Sequence, residues 1–177
     1  METQKLQGTV KFFNETKGFG FIIDSNSQEK YFVHVSGLLE EIKENDKVLI
    51  HAGSGGVGSF AIQYAKAKGA YVYTTTSTDN VKWVKELGAD RVIDYKTEDY
   101  KTIVKDADIV FDTLGNNYTL EAFELIKQGG KVVSVIGALD EETAKMFGMA
   151  DYKLPEELAK LIRAKDATYK YIFMHPN

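Results

Sequence analysis

The stretch Lys47-Val-Leu-Ile-His-Ala-Gly-Ser-Gly-Gly-Val-Gly58 decides the fold of most of this chain. Val48, Leu49 and Ile50 form a short apolar run, which predicts a buried strand. A glycine cluster follows directly, and it predicts a turn. The residues after it, 59–68, have the pattern of a helix. The stretch therefore predicts a strand, a glycine turn and a helix in direct succession.

The glycines at positions 53, 55 and 58 follow the spacing G-x-G-x-x-G. Between a strand and a helix, this spacing is the fingerprint of a dinucleotide-binding turn. It assigns Gly53 to the tight turn, Gly55 to close approach of a pyrophosphate and Gly58 to close helix–strand packing. The N–H groups at the start of the helix would then face the phosphates. A glycine-rich turn without any ligand is the alternative interpretation of the same residues.

After this turn, strand and helix patterns alternate to the end of the chain. The predicted strands cover residues 70–75, 91–95, 108–112, 131–136 and 168–174, and the predicted helices cover residues 80–87, 97–105, 119–127 and 155–164. Such alternation is typical of a doubly wound parallel sheet. The predicted fold class is therefore α/β: a Rossmann-type sheet of about six strands, preceded by a small antiparallel β segment.

The end of the second strand of this sheet bears on the choice of cofactor. In NAD-selective domains an acidic residue about twenty positions after the fingerprint binds the ribose hydroxyl. Thr74-Thr-Thr-Ser77 occupies that place without an acid, and Lys82 and Lys85 follow. Hydroxyl groups and cations favour a ribose phosphate, so the sequence favours NADP(H) over NAD(H). A polar loop that caps the next helix would have the same composition.

Four segments of residues 47–177 resemble a single family. They are the opening stretch, Leu87-Gly-Ala-Asp-Arg-Val-Ile-Asp-Tyr95, Val110-Phe-Asp-Thr-Leu-Gly115 and Gly129-Gly-Lys-Val-Val133. Together they resemble the zinc-independent quinone oxidoreductases of the medium-chain dehydrogenase/reductase family. The resemblance implies a nicotinamide-binding domain, and we assign no catalytic residue and no metal ligand in this chain.

The same resemblance implies which residues contact the cofactor. The glycine turn would bind the pyrophosphate, two residues would bind the adenosine phosphate, and two loops would lie near the nicotinamide. These residues are Gly53, Ser54, Gly55, Gly56, Val57 and Gly58 at the turn, Ser77 and Tyr95 at the adenosine phosphate, and Leu114, Gly115, Ile136 and Gly137 near the nicotinamide.

Two departures from the family pattern limit these expectations. Asn80 stands where the family often has a lysine, which argues against NADP(H). The family also has a substrate-binding barrel before the sheet and a segment after it that returns to the barrel, and neither pattern is found here. Without a substrate wall the positioning that accelerates hydride transfer is lost, so we expect little turnover by this chain alone. His51 belongs to the strand motif and is interpreted as structural.

Residues 1–46 have a different pattern, that of short antiparallel strands. With a period of two, Phe19 and Phe21 share one face of a strand, and Phe32 and His34 share one face of the next. Aromatic rings on an open sheet face are a platform on which the bases of single-stranded nucleic acid stack. A packed aromatic core is the alternative interpretation.

The motifs Lys17-Gly-Phe-Gly-Phe-Ile22 and Tyr31-Phe-Val-His-Val-Ser36 resemble the two ribonucleoprotein motifs of bacterial cold-shock proteins, and Gly8-Thr-Val-Lys-Phe-Phe-Asn14 resembles their first strand. That family is a five-stranded OB-type barrel that binds single-stranded DNA and RNA. The resemblance implies nucleic-acid contacts through Lys11, Phe12, Lys17, Phe19, Phe21, Phe32 and His34.

The cold-shock resemblance stops near Val48, before a fifth strand. Phe12 also stands where the family usually has tryptophan, and Val35 where many members have an aromatic residue. The sequence therefore predicts two domains, a partial cold-shock-like segment at 1–46 and an NAD(P)-binding domain at 47–177. A natural fusion, a gene-model error and a recombinant product would share this pattern.

The overall composition excludes several functional classes for this chain. Of the 177 residues, 44% are apolar and 27% are charged, as in ordinary globular proteins. The net charge of −4 provides no basic footprint, so nucleic acid would have to bind through a local stacking surface. The chain has no cysteine, which excludes disulfides and cysteine zinc sites and favours the cytoplasm. No apolar run reaches membrane length and no signal-peptide pattern begins the chain, so no membrane partner is predicted.

Three functional hypotheses follow from the sequence. The first is an NAD(P)(H)-binding module that resembles an NADPH-dependent quinone reductase. The second is a single-stranded DNA- or RNA-binding protein that uses the aromatic face of residues 1–46. The third is a chimera in which neither site is active.

Overall fold

A computed structural model describes residues 8–14, 19–24, 30–34 and 42–172, with side chains for the last of these ranges. The described residues fall into two units, of which the second is Ile42–Ile172. None of the helices in the described ranges is long and apolar enough to span a bilayer. The assignment of separate functions to residues 1–46 and 47–177 stays a prediction.

The first unit contains a three-stranded antiparallel sheet in the order β1-β2-β3. Its strands are β1 (Gly8–Asn14), β2 (Phe19–Asp24) and β3 (Lys30–His34). The pairing of β1 with β2 shifts register between Val10 and Phe12, at a β-bulge or irregularity. These strands agree with the antiparallel segment predicted from the alternation, whereas closure into a barrel would involve residues outside the described ranges.

The second unit is built on a six-stranded sheet in which every described pairing is parallel. Its strands are β4 (Lys47–Ile50), β5 (Tyr71–Thr76), β6 (Arg91–Asp94), β7 (Ala107–Asp112), β8 (Ile126–Ser134) and β9 (Thr168–Tyr171). The order across the sheet is β6-β5-β4-β7-β8-β9. The chain therefore reverses direction across the sheet at β4, where doubly wound folds bind their ligands.

Helices connect these strands. They are α1 (Gly56–Ala67), α2 (Val81–Glu86), α3 (Tyr100–Ile103), α4 (Asn117–Leu125), α5 (Glu141–Met146) and α6 (Glu156–Lys165), with a 3₁₀ turn at Thr78–Asn80. Alternation of strands and helices in this order confirms the α/β fold predicted from the sequence.

The central strand β4 is buried on both faces. Val48, Leu49 and Ile50 are all fully buried, as expected for a strand covered by helices on both sides of a parallel sheet. Leu49 belongs to a core that also contains Val110, Phe123 and Val132. This core holds the carboxyl ends of β4 and β7 in fixed positions, so the loops that follow them start from a rigid base.

Several element boundaries differ from the sequence prediction, and α3, at Tyr100–Ile103, covers only part of the helix predicted at 97–105. The helix α1 begins at Gly56 and not at residue 59, because tertiary packing outweighs the poor helix propensity of glycine. The strand β8 begins at Ile126, which pairs with Ala107, so the helix predicted to residue 127 ends sooner. The short helix α5 has no counterpart in the prediction, and Asp140 caps it by accepting the Thr143 N–H at 2.8 Å.

Candidate functional site

The turn after β4 is shaped by close contacts with β5. Ala52 has a φ of 51° and is the residue of this turn in the left-handed region, whereas Gly53 lies outside that region. Gly53 donates its N–H to Thr75 O at 2.9 Å. A Cβ on Gly53 would lie 2.2 Å from Thr74 Oγ1. Position 53 therefore needs glycine because the neighbouring strand is close, which corrects the backbone role predicted for it.

The other glycines of the turn have different surroundings. A Cβ on Gly58 would lie 2.3 Å from Ala52 O, which is the close packing at the helix start that the fingerprint predicts. A Cβ on Gly55 would lie 3.2 Å from the same oxygen, and a Cβ on Gly56 would meet nothing within 4 Å. Gly55 and Gly56 are exposed. The backbone of these two residues is therefore open to a ligand.

The start of α1 carries unneutralised positive charge. Its N-cap residue, Gly55, offers no side chain that could accept a hydrogen bond, and its first turn contains no acidic residue. The first N–H groups of a helix lack partners within the helix, and the helix dipole adds about half a positive charge there. Ser54 and Val57, both partly exposed, flank this end. The arrangement is suited to bind an anion.

Ser77 and Tyr95 are brought together at the ends of adjacent strands. The Tyr95 N–H donates to Thr76 O at 3.1 Å, and the Tyr95 side chain is 57% exposed. Asn80 Nδ2 donates to Ser77 Oγ at 2.9 Å, while Trp83 Nε1 donates to Asn80 Oδ1 at 2.9 Å. The hydroxyl of Ser77 is thus held in place at the surface, beside the Tyr95 backbone.

An acid that the sequence analysis did not consider lies beside this loop. Asp94, at the end of β6, pairs in register with Thr76. It is buried, and a hydrogen bond from Thr78 is the main cause that lowers its carboxyl pKa. Its Oδ1 also accepts the Lys96 N–H at 3.0 Å. This carboxylate is therefore already partnered inside the protein. Only the sheet order reveals it, because it comes from the strand next to β5.

The two loops predicted near the nicotinamide meet at the ends of β7 and β8. Gly115 has a φ of 71°, and a Cβ on it would lie 2.8 Å from Ile136 Cγ2. Leu114 and Gly115 both donate their N–H groups to Asp112 Oδ1 at 2.9 Å. Gly137 donates its N–H to Ser134 Oγ at 2.8 Å. The structure therefore brings these two loops into contact.

His51 is fully buried at the end of β4, consistent with a structural residue. Burial lowers its pKa to about 4, against smaller opposite effects of Asp112 and Glu121. Its Nδ1 lies 3.3 Å from Thr75 Oγ1, and its ring makes an edge contact with Tyr100, centroids 5.1 Å apart. Among the described residues, His51 Nε2 is one of two buried side-chain polar atoms without a hydrogen-bond partner. The imidazole is therefore neutral near pH 7.

The residues predicted to bind nucleic acid follow a register across the three strands of the first unit. Phe12 pairs with Phe21, which pairs in turn with Phe32. Phe19 pairs with His34. Of the other predicted positions, Lys11 lies where the β1–β2 register shifts, and Lys17 lies outside the described residues.

Comparison with known proteins identifies the family. Residues 56–169, which run from the start of α1 to β9, match the family model described as zinc-binding dehydrogenase. The chain belongs to the zinc-binding dehydrogenase family. Residues 6–65 match the model described as the 'cold-shock' DNA-binding domain, in agreement with the resemblance seen in the sequence. The two matches overlap at 56–65, and the structure assigns these residues to α1 of the second unit.

Two curated relatives of this dehydrogenase-family chain carry reductase names. It is 33% identical over 155 residues to the mitochondrial NAD(P)H oxidoreductase RTN4IP1 of Danio rerio, covering 82% of this chain and 40% of the relative. It is 42% identical over 101 residues to the chloroplastic NADPH-dependent alkenal/one oxidoreductase of Arabidopsis thaliana, covering 56% of this chain and 26% of the relative. The chain thus spans less than half the length of either relative.

A solved structure shares the fold of the second unit. The nucleotide-binding subdomain of the enoylreductase domain of PpsC from Mycobacterium tuberculosis is 25% identical, with a TM-score of 0.58. The similarity covers 77% of this chain and 75% of that one. Despite the zinc in the family's description, the described residues contain no group of three or more His, Asp or Glu side chains that could hold a metal ion.

Proposed function

We propose that the second unit binds a nicotinamide dinucleotide along the carboxyl edge of its sheet, as the cofactor-binding module of a reductase. The observation that carries this proposal is the uncapped start of α1. It follows a turn in which neither Gly53 nor Gly58 has room for a side chain. The two relatives described above, an NAD(P)H oxidoreductase and an NADPH-dependent oxidoreductase, support the same cofactor class.

The residues present fit this cofactor. The pyrophosphate would meet the backbone of Ser54, Gly55, Gly56 and Val57, where anions are favoured. Ser77 and Tyr95 would hold the adenosine phosphate. The loops at 114–115 and 136–137 would flank the nicotinamide, which supplies hydride transfer when bound. The chain's own contribution is binding and orientation of the two ends of the cofactor.

NADP(H) is the preferred form in this proposal. No acid lies at the end of β5, and Ser77 offers a hydroxyl that Asn80 holds in place. Asp94, the nearby acid, already accepts hydrogen bonds from Thr78 and Lys96. A ribose phosphate at Ser77 would therefore meet a hydroxyl, with the exposed Asp79 two residues further along the 3₁₀ turn.

The reaction proposed for a reductase that contains this module is reduction of a quinone or an enone, as in the family that the sequence resembles. We assign no catalytic residue in this chain and expect little turnover by it alone. A cytoplasmic location stays a prediction from the cysteine-free composition.

Calorimetric titration of the purified chain with NADPH and then NADH tests this proposal. We expect NADPH to bind with micromolar affinity, which corresponds to a binding free energy of about −8 kcal/mol. NADH should bind more weakly. Failure of both cofactors to bind would disprove the proposal. A quinone-reduction assay then addresses turnover separately.

We also propose a second function, binding of single-stranded nucleic acid through the first unit. The cold-shock match and the aligned positions Phe12, Phe21 and Phe32 support it. Residues paired in register lie on the same face of an antiparallel sheet, so these three positions form a row. Fluorescence quenching of a labelled single-stranded oligonucleotide tests the proposal, and an unchanged signal on adding the protein would refute it.

A further inference from the structure

We infer that Asp112 is the positioning residue of the nicotinamide half of the site, an inference that rests on the proposed function. Asp112 ends β7, and Ser134, which pairs with it in register, ends β8. Both side chains are fully buried. The polar network that they form ties together the two loops that leave these strands.

The carboxylate of Asp112 accepts hydrogen bonds on both oxygens. Its Oδ1 accepts the N–H groups of Leu114 and Gly115, each at 2.9 Å. Its Oδ2 accepts the hydroxyls of Thr119 at 2.5 Å and of Ser134 at 3.0 Å. A buried carboxylate needs such compensation for its lost hydration. Here the partners come from the loop after β7, the first turns of α4 and the end of β8.

Ser134 passes this constraint to the second loop. Because its hydroxyl donates to Asp112, its oxygen is free to accept the N–H groups of Ile136 at 3.3 Å and Gly137 at 2.8 Å. The far side of that loop is closed by Tyr169, whose hydroxyl donates to Ala138 O at 2.6 Å. One carboxylate thus determines the backbone position of both loops.

The phosphate half of the site does not depend on this network. The glycine turn is held by β5, through the Gly53 N–H and Thr75 O, and Ser77 is held by Asn80. Within the described residues, the side-chain hydrogen bonds of Asp112 and Ser134 do not reach the turn at 52–58 or the loop at 77–80. The nearest link is the Thr113 hydroxyl, which donates to His51 O at 3.0 Å, and it does not involve either side chain. Loss of Asp112 should therefore loosen one half of the site and spare the other.

Paired ligands with and without the nicotinamide ring separate the two halves. NADPH is compared with 2′-phospho-ADP-ribose, and NADH with ADP-ribose, by calorimetry on the full chain. In Asp112→Asn we expect the affinity for the nicotinamide-bearing ligand to fall by about tenfold, since a net hydrogen bond in this network is lost. The affinity for the ring-free ligand should stay within about twofold. The fluorescence of bound NADPH should shift toward that of free NADPH.

A second variant and a control guard against a simple loss of folding. Ser134→Ala removes the bond to Asp112 and the links to Ile136 and Gly137, but it leaves Asp112 bonded to Leu114, Gly115 and Thr119. It should give the same selective loss of affinity, in smaller degree. Thr143→Ala removes a similar hydroxyl–carboxylate bond, to Asp140 at 2.9 Å, that reaches neither loop. It should leave the affinities for both ligands of each pair unchanged.

The outcomes separate this inference from the function on which it rests. If the wild-type chain binds none of the four ligands, the proposed function fails and the inference fails with it. If it binds both members of a pair equally well, the loops do not contact the nicotinamide and the inference alone is overturned. If Asp112→Asn and Ser134→Ala lose affinity equally for the nicotinamide-bearing and the ring-free ligand, the inference is also overturned, because a merely structural role predicts that result.

Discussion

Gly58 and Ala52 approach each other so closely that a Cβ on Gly58 would lie 2.3 Å from the carbonyl oxygen of Ala52. Both partners in this contact are backbone, so neither can rotate away. Ala52 itself is in the left-handed region, with a φ of 51°. The start of α1 is therefore packed directly on a constrained turn, and this packing sets where the first N–H groups of the helix point.

Gly58→Ala should destabilise the second unit by about 3 kcal/mol, because the added methyl forces backbone apart at the turn. The chain's single tryptophan, Trp83, lies in α2, so its fluorescence follows unfolding of this unit in urea. Gly56→Ala is the matched control, since a Cβ there meets nothing within 4 Å. It should change the free energy of unfolding by less than about 1 kcal/mol. Equal losses in the two variants would contradict the packing argument.

Gly56→Asp should separate stability from cofactor binding. An acid in the first turn of α1 complements the helix dipole and should stabilise the unit by about 0.5 kcal/mol. The same charge repels a pyrophosphate, so NADPH affinity should fall by more than about tenfold. Urea unfolding and calorimetry measure the two effects.

Gly56→Asn, which has the same size without the charge, is the control for this variant. It should keep most of the affinity for NADPH. If Asp and Asn weaken binding alike, the loss does not come from charge repulsion, and the electrostatic argument for this helix end fails.

The succession of strands and helices in the second unit could be predicted because its signals are local. The apolar run at 48–50, the glycine turn and the alternation after it each follow from a period or a spacing in the sequence. The helix α5 was not predicted, because its six residues are too few to show a period and its cap, Asp140, is an isolated signal.

The network at Asp112 could not be predicted for a different reason. A single acid at a strand end is a weak signal, and its importance depends on the register that places Ser134 opposite it. Asp94 likewise lies beside Thr76 only because β5 and β6 are neighbours in the sheet. Such pairings join residues that are distant in sequence, and no local pattern encodes them.

Ser77→Ala should weaken the binding of NADPH and leave the binding of NADH nearly unchanged. The hydroxyl held by Asn80 at 2.9 Å is the group proposed to meet the ribose phosphate. Its loss should reduce NADPH affinity by about fivefold, while NADH affinity stays within about twofold. Calorimetry with both cofactors measures the ratio. Ser59→Ala, which removes a hydroxyl bonded to Gly56 O at 3.1 Å, is the control and should leave the ratio unchanged. An unchanged ratio in Ser77→Ala would remove this basis for NADP(H) preference.

Replacing Phe19 and Phe32 together by alanine should abolish binding of single-stranded DNA. Stacking of a base on an aromatic ring contributes about 1–3 kcal/mol, so loss of two rings should weaken binding by at least about thirtyfold. Quenching of a labelled oligonucleotide measures the effect. Tyr71→Ala removes an aromatic ring that is 43% exposed in the second unit, and it should not change this binding. Equal binding by the double variant and the wild type would exclude stacking on Phe19 and Phe32 as the basis of binding.

His51 should make the second unit less stable as pH falls from about 6.5 to about 4. Burial lowers its folded-state pKa from 6.5 to about 4, so only the unfolded chain takes up a proton across this window. Stability is therefore fully present above pH 6.5 and declines below it. Between pH 7 and pH 5 the loss from this residue should be about 2 kcal/mol.

Urea unfolding of the wild type and of His51→Gln at pH 7 and pH 5, followed by Trp83 fluorescence, isolates this contribution. The glutamine variant is less stable at both values, since it leaves a polar group in an apolar site. That uniform loss cancels when each protein is compared with itself across pH. Other titrating groups, such as Asp94, are common to both proteins. The decline should be about 2 kcal/mol steeper in the wild type; parallel declines would mean that His51 takes up its proton in the folded unit over the same pH range as in the unfolded chain.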